Sequence, residues 1–455
     1  MEYSEGVKNY IKKAKKEIEK RKEYLKSLKK KKFDTLAVHG LYSVEEAFEG
    51  GKGGIIEPIF PSTSQAYRDS DEMEAALAYL IPTWCYSRIV NPTVTYLEET
   101  LSLLETYGTP YFASALCTSA GMAAIKQAIE PFLDLNIPYK KGVNFVSTAQ
   151  CYGGTFQLFN LRMNERGAKV RWVQKPWDIK EWEKLVDEDT RFLYGEMPSN
   201  PQQACFDIEE VAKLAHSYNI PLIVDATVGT PALLRPLAFG ADIVIHSITK
   251  TIGAGGFSIG GAIIAKENIT SKHLPEEIKE DYALWLKLWP FRDSGPCMSP
   301  YSAFLFLNEI RTLRIKVKNF SQNTMKVAEF LKNHPKVERV DYLGLKEHFL
   351  HKIAKKYMKL ADEDINLYGH LLSFNVKGTA EDTRKVFDSF NMIWRATDLG
   401  RVKSVATIPA ISTHQQQGEE GRKLAGIPKN MIRLSVGAEA PEDIISDLDQ
   451  ALRKI

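Results

Sequence analysis

Lys250 and Asp225 each follow a short apolar run. Leu222-Ile223-Val224 ends at Asp225, and Ile243-Val244-Ile245 leads through His246, Ser247 and Thr249 to Lys250. Three further runs end in reactive or anion-binding groups. Phe192-Leu193-Tyr194 leads to Glu196 and Asn200, and Phe145-Val146 leads to Tyr152-Gly153-Gly154. Tyr111–Leu116 leads to Thr118-Ser119-Ala120-Gly121-Met122, which opens a helical pattern. If the runs are strands of an open α/β sheet, these groups meet, because ligands bind beyond the carboxyl ends of such strands. A helix N-terminus with a glycine suits a phosphate, since its free N–H groups and dipole face the anion.

Taken singly, each residue has a plainer explanation. Asp225 suits a helix cap before Thr227, Lys250 a surface lysine, and Tyr152 a core tyrosine with a satisfied hydroxyl. Together they fit one cofactor. Pyridoxal phosphate needs a lysine for its Schiff base, a carboxylate facing its pyridine nitrogen, donors for its phosphate and an aromatic face.

The elements that must position these groups alternate between strand and helix from about residue 85 to 270. Strands are predicted at 111–116, 144–148, 169–173, 192–196, 222–225 and 243–247, with helices at 121–132, 155–164, 180–185 and 208–218. Such alternation implies an α/β domain with a mostly parallel sheet covered on both faces. A long helix is predicted over 301–332, then strands near 337–342 and 370–376 and helices at 383–390 and 441–453, a smaller α+β domain. Residues 1–84 divide into a basic helix and an irregular, extended arm. The domains are therefore expected at 1–84, 85–300 and 301–455.

The chain has 455 residues, 44% hydrophobic and 26% charged. That balance excludes a disordered chain, a collagen-like fibre and a small disulfide scaffold. No stretch approaches about 20 consecutive apolar residues, so no membrane helix is expected. Met1–Lys20 has no apolar signal core, and the five cysteines form no Cys-x-x-Cys pair. Both point to reduced thiols in a cytoplasmic protein. Residues 1–32 carry a net charge of +8 and the remainder −5. A basic segment can serve a nucleic acid or an anionic membrane, but a solvated, salt-bridged helix is favoured because the body is not basic. No metal site is expected. His348 and His351 lie three apart among lysines, the pattern of a solvated helix face.

The residues also fall in strings that resemble the pyridoxal-phosphate-dependent enzymes of Cys/Met metabolism, the cystathionine γ-synthase-like group. The strings are Tyr86-Ser87-Arg88 with Asn91-Pro92-Thr93, Ala120–Ala124, Tyr152–Thr155, Glu196–Pro201, Val224–Thr227, Gly240–Lys250 and Ile432–Gly437. The resemblance runs from about Leu36 to the C-terminus and implies the transferase fold type I. It implies that Lys250 carries the cofactor and moves protons, that Asp225 pairs with the pyridine nitrogen, and that Thr227 sits near the ring. Gly121, Met122, Ser247 and Thr249 would hold the phosphate, and Tyr152 would stack on the ring and act as acid or base. Tyr86 and Arg88 would reach the site of a neighbouring subunit, so a homodimer or homotetramer with shared sites is implied. Arg433 would grip the substrate α-carboxylate, with Asn200, Glu196 and Asp398 as further substrate contacts.

Within this family the strings look closest to the O-acetylhomoserine sulfhydrylases. Methionine γ-lyases usually carry a cysteine where this chain has Gly154. The stretch Asp398-Leu399-Gly400-Arg401 resembles the Asn-x-Gly-Asp form of the sulfhydrylases, and Thr413-His414-Gln415-Gln416 also looks like that branch. Two departures stand out: Ala120 replaces a common serine, and Asp398 replaces a neutral residue. A carboxylate beside the substrate carboxylate would repel it unless paired, for instance with Arg433, or protonated. The resemblance implies γ-replacement by sulfide or a thiol on an activated homoserine ester. A γ-lyase is the alternative, and an aminotransferase or an inert nucleic-acid binder a more distant one.

Overall fold

The computed structural model describes residues 3–82, 84–133 and 143–455. Met1, Glu2 and Thr83 of the predicted N-terminal region lie outside them. The large sheet has seven strands in the order β1-β7-β6-β5-β4-β2-β3. These are β1 (Ala113–Thr118), β2 (Asn144–Thr148), β3 (Lys169–Val173), β4 (Thr190–Glu196), β5 (Leu222–Asp225), β6 (Ile243–His246) and β7 (Gly261–Lys266). All are mutually parallel except β7, which is antiparallel to both neighbours, β1 and β6. The strand predicted at 111–116 is shifted to 113–118, because Tyr111 is exposed and the antiparallel register with β7 begins at Ala113. β7 was not predicted: its apolar run follows a glycine-rich turn and has no polar alternation, so only pairing identifies it.

Both faces of this sheet are covered, as the unbroken apolar runs require. Alternate residues along the strands feed two cores. Val146, Leu193, Val224, Val244 and Ile264 enter one, and Phe145, Phe192, Ile223, Ile243 and Ile263 the other. In the second core Phe145 stacks on Phe192 at 4.7 Å and meets Phe159 edge-on at 5.0 Å.

A second sheet of five strands has the order β10-β11-β12-β9-β8. They are β8 (Val337–Asp341), β9 (Leu371–Val376), β10 (Trp394–Arg395), β11 (Val405–Thr407) and β12 (Met431–Ser435). Only β8 and β9 were predicted as strands. β10 and β11 are too short for a period to register, and Arg433 interrupts the apolar pattern of β12, although the whole strand is buried.

Two predicted segments differ in the structure. The long helix of 301–332 is two helices, Pro300–Ile310 and Leu313–Asn333. The first packs on the helix Pro92–Glu105 beside the large sheet, and the second on β8, β9 and the helix Pro441–Leu452. The chain turns between them because its apolar stripe changes partner. The arm over residues 33–84 is less extended than predicted and holds three short helices, Phe33–His39, Val44–Glu49 and Ser70–Leu77. Ser43 and Asp69 cap the last two by accepting from Glu46 N and Glu72 N, a cap-and-acid spacing visible in the sequence. The basic helix Glu5–Leu28 lies against Ser70–Leu77. Val7 and Ala14 are buried within the same chain, and Tyr10 donates to Asp69 at 2.8 Å.

Among the described residues no helix is long and apolar enough to cross a membrane. Replacing Phe145 with Ala should destabilise the protein by about 3–5 kcal/mol, since a fully buried ring with two aromatic partners is lost. Urea unfolding of the two proteins side by side measures this.

Candidate active site

The site is built at the carboxyl ends of β4, β5 and β6. Asp225 is the last residue of β5 and stands in register with Glu196, the last of β4. Asp225 Oδ1 accepts from Thr227 N at 3.0 Å and Thr227 Oγ1 at 2.6 Å, and Oδ2 accepts from Tyr194 Oη at 3.3 Å. No cation pairs with it among the described residues. Burial pushes its carboxyl above the ordinary value. A buried carboxylate served only by neutral donors fits a group that brings its own positive N–H, as a pyridinium does.

Thr227 Oγ1 also accepts from Ser247 N at 2.8 Å, so one threonine ties the carboxylate to the next strand's end. Ser247 faces the helix Gly121–Ile129, whose N-cap residue Ala120 supplies no side-chain cap. The first-turn N–H groups of Gly121 and Met122 are thus left for an outside acceptor. A Cβ on Gly121 would lie 2.6 Å from Ser247 Cβ, so only glycine permits this approach. The cradle suits a phosphate. The Thr249 hydroxyl, expected at the phosphate, donates here to Gly260 O and accepts from Gly260 N.

Lys250 follows on the same turn. Its Nζ donates to Asp398 Oδ1 at 2.7 Å, and the other oxygen of Asp398 pairs with Arg401 Nε. Burial pulls Asp398 up, but Lys250 and Arg401 outweigh it and hold the carboxyl below the usual range. Asp398 is therefore ionised. Its side chain pairs with these two cations and not with Arg433, which instead donates through Nη2 to the Asp398 carbonyl at 2.6 Å.

Arg433 lies mid-strand in β12, is fully buried, and also donates through Nη1 to Asn200 Oδ1 at 3.1 Å. Its Nε has no partner among the described residues. Burial pulls its pKa down to about 10, so it stays a cation at neutral pH without a bonded carboxylate. Glu196, expected as a substrate contact, is only 5% exposed and serves the backbone. Its two oxygens accept from Tyr152 N and Asn200 N, each at 2.7 Å.

Tyr152 stands just before the helix Gly153–Gln157 with a half-buried ring. A Cβ on Gly154 would lie 2.6 Å from that ring, and one on Gly153 2.0 Å from Thr413 O. Both glycines are therefore needed for close packing around the tyrosine. Tyr86 and Arg88 are not brought to Lys250 within one chain. Tyr86 bridges to Ser64, while Arg88 lies over the Tyr86 ring at 5.3 Å and donates to the Arg292 carbonyl.

Two histidines escaped sequence reasoning. His370 bonds Thr251 Oγ1 at 2.8 Å and Ser435 Oγ at 3.0 Å, joining the Lys250 turn to the Arg433 strand. It stands alone in the sequence, and only packing gives it a role. His414, within a string already noted, bonds Thr413 Oγ1 at 2.8 Å and reaches the Cys151 carbonyl at 3.4 Å. His348, predicted on a solvated face, is instead buried 3.6 Å from Asp341. Its ring stacks against Phe349 at 5.1 Å, with the equally buried Asp341 beside it.

Burial, with the nearby Arg433 charge, pulls His370 down to about 3 and His414 to about 4. Both imidazoles are neutral in the folded protein, and the unfolded chain binds protons more tightly. Stability should be full above about pH 6.5 and fall as the pH drops toward 4. Urea midpoints measured across that range should show the slope, and His370→Gln should flatten it.

Comparison with known proteins agrees with this geometry. Residues 34–453 match the family model described as Cys/Met metabolism PLP-dependent enzyme. The chain is 34% identical over 441 residues to homocysteine synthase of Schizosaccharomyces pombe, covering 92% of this chain and 98% of that one. It is 34% identical over 404 residues to L-methionine gamma-lyase of Fusobacterium nucleatum, covering 89% and 94%. A solved structure of a putative O-acetylhomoserine (thiol)-lyase from Campylobacter jejuni superposes with a TM-score of 0.82 at 30% identity, covering 93% of this chain and 100% of that one. That structure carries a pyridoxyl-lysine phosphate. A lysine on the turn after β6, a buried carboxylate at the end of β5 with no cation bonded to it, and a glycine-headed helix facing Ser247 are the groups such a cofactor needs, and with these matches they place the chain in the Cys/Met-metabolism family of pyridoxal-phosphate-dependent enzymes.

Proposed function

We propose that the protein catalyses γ-replacement, in which sulfide or a thiol displaces the acyl group of O-acetyl- or O-succinyl-L-homoserine to give homocysteine or a thioether amino acid. The observation that carries this reading is Arg433, a buried cation held by neutral oxygens with no carboxylate bonded to it. An amino acid's α-carboxylate is the anion that fits its donors, and Asn200 fixes its aim. The names of the relatives supply the γ-leaving group.

Pyridoxal phosphate supplies the electron sink that makes the substrate's Cα proton removable. Gly121, Met122 and Ser247 would hold its phosphate, and Asp225, aligned by Thr227 and Tyr194, would meet its ring nitrogen. Lys250 Nζ takes the Cα proton, a task suited to an amine whose pKa burial has lowered. The Tyr152 phenol, at the mouth of the site, exchanges a proton with the departing or entering group. Glu196 holds the backbone of both Tyr152 and Asn200, so one buried carboxylate sets the spacing between ring contact and carboxylate contact.

A γ-lyase is the second reading, and the gamma-lyase relative keeps it in play. Gly154 favours replacement, because a Cβ there would lie 2.6 Å from the Tyr152 ring and 3.2 Å from Met122 Sδ, leaving no room for the cysteine that methionine γ-lyases usually carry.

The placement of Tyr86 and Arg88 away from Lys250 supports a site completed by a second subunit, hence at least a homodimer. Mixing Lys250→Ala subunits with Arg88→Ala subunits should then restore activity that neither variant has alone. If mixed dimers stay inactive after verified exchange, the shared site is wrong.

Incubating the cofactor-loaded protein with O-acetyl-L-homoserine, with and without sulfide, tests the reaction itself. Homocysteine should dominate when sulfide is present. Equal 2-oxobutanoate in both tubes would make it a γ-lyase.

A further inference from the structure

Asp398 and Arg401 surround Lys250 with two charges that its proton transfer does not by itself require. Arg401 Nη1 donates to Thr249 O at 2.7 Å and Gly253 O at 2.8 Å, the carbonyls on either side of the Lys250 turn. Its Nε pairs with Asp398 Oδ2, and Asp398 Oδ1 accepts from Lys250 Nζ. The three side chains and the turn's own backbone thus close a ring. The loop carrying Asp398 and Arg401 is pinned against this turn. Gly400 has φ +73°, and a Cβ there would lie 2.6 Å from Thr251 N. Gly400 N donates to Ser435 Oγ at 2.8 Å, and Asp398 O accepts from Arg433. The carboxylate is held at its backbone and at its tip.

We propose that Asp398 and Arg401 act as a matched charge pair that positions the Lys250 amino group, the carboxylate serving as its counter-ion and the guanidinium fixing the carboxylate's aim. This rests on Lys250 being the lysine that carries the cofactor. The pair also answers a difficulty for substrate binding. A lone carboxylate beside Arg433 would repel the incoming α-carboxylate, whereas Arg401 cancels that charge and leaves Arg433 as the net cation.

The groups facing Lys250 are Asp398 and Arg401 from this loop and Arg433 from β12, with Tyr152 acting on Arg433 in turn. Asp225 at the end of β5 connects through Thr227 to Ser247, three residues before Lys250. Burial lowers the lysine, Asp398 raises it, and Arg401 and Arg433 lower it. The two members of the pair therefore pull in opposite directions, so their replacements should shift the lysine in opposite senses.

The test is a pH titration of the visible absorbance of the lysine–cofactor linkage in the loaded protein. Asp398→Asn should move the midpoint down by about one pH unit or more, since an opposite charge at hydrogen-bond range favours the protonated form. Arg401→Gln should move it up, because the carboxylate then acts on Lys250 without competition. Cofactor uptake by the stripped Asp398→Asn protein at fixed neutral pH should also be faster than wild type, as more of the amine is neutral. Shifts in the same direction, or an Asp398→Asn midpoint and uptake rate unchanged from wild type, overturn the pair. If Arg401→Gln does not fold, by circular dichroism, the two Asp398→Asn measurements decide alone. A wild-type protein with no such absorbance, or a Lys250→Ala protein that keeps it, would instead overturn the assignment of Lys250.

Discussion

Asp225 and Arg433, groups of opposite charge, are buried in this site without bonded counter-ions. Asp225 is served by a threonine, a backbone N–H and a tyrosine, and Arg433 by an amide oxygen and a carbonyl. A buried charge held by neutral groups costs stability, and a protein keeps it only where something else supplies the opposite charge. A pyridinium would do so for Asp225 and an amino acid's carboxylate for Arg433. The surrounding hydrogen bonds make sense as the frame that keeps these two charges in place while they wait.

That frame is made of a few residues that each join two elements. Thr227 links the end of β5 to the end of β6. Glu196, at the end of β4, links the Tyr152 turn to Asn200. His370 links the Lys250 turn to β12 across the two sheets. Each has its polar side-chain atoms engaged on both sides. These three residues hold in place the segments that carry Lys250, Tyr152 and Arg433.

The large sheet explains why such a frame is possible. Six parallel strands bring their carboxyl ends to one edge, and the two apolar cores on its faces fix each strand's height. The smaller sheet then contributes β12 with its arginine and, from the loop between β10 and β11, Asp398 and Arg401. The site lies where the two sheets meet, so the lysine comes from one and its counter-ion from the other.

The parallel strands and most reactive residues were legible in the sequence, because apolar runs of buried strands and the groups that close them are local features. Lys250, Asp225, Tyr152, Gly121 and Arg433 all belong to short strings of that kind. Other features were not legible, since they depend on pairings between distant segments. Strand β7 is defined by its neighbours, Glu196 turns out to hold backbone, and His370 gains its role only when β9 is laid beside β12. Asp398 shows the division most clearly. Its sequence position announces a charge near the substrate carboxylate and leaves its partner open. Only the folded loop, pressed against the Lys250 turn with Arg401 between, decides which cations that carboxylate meets, because ion pairing is set by distance in space and not along the chain.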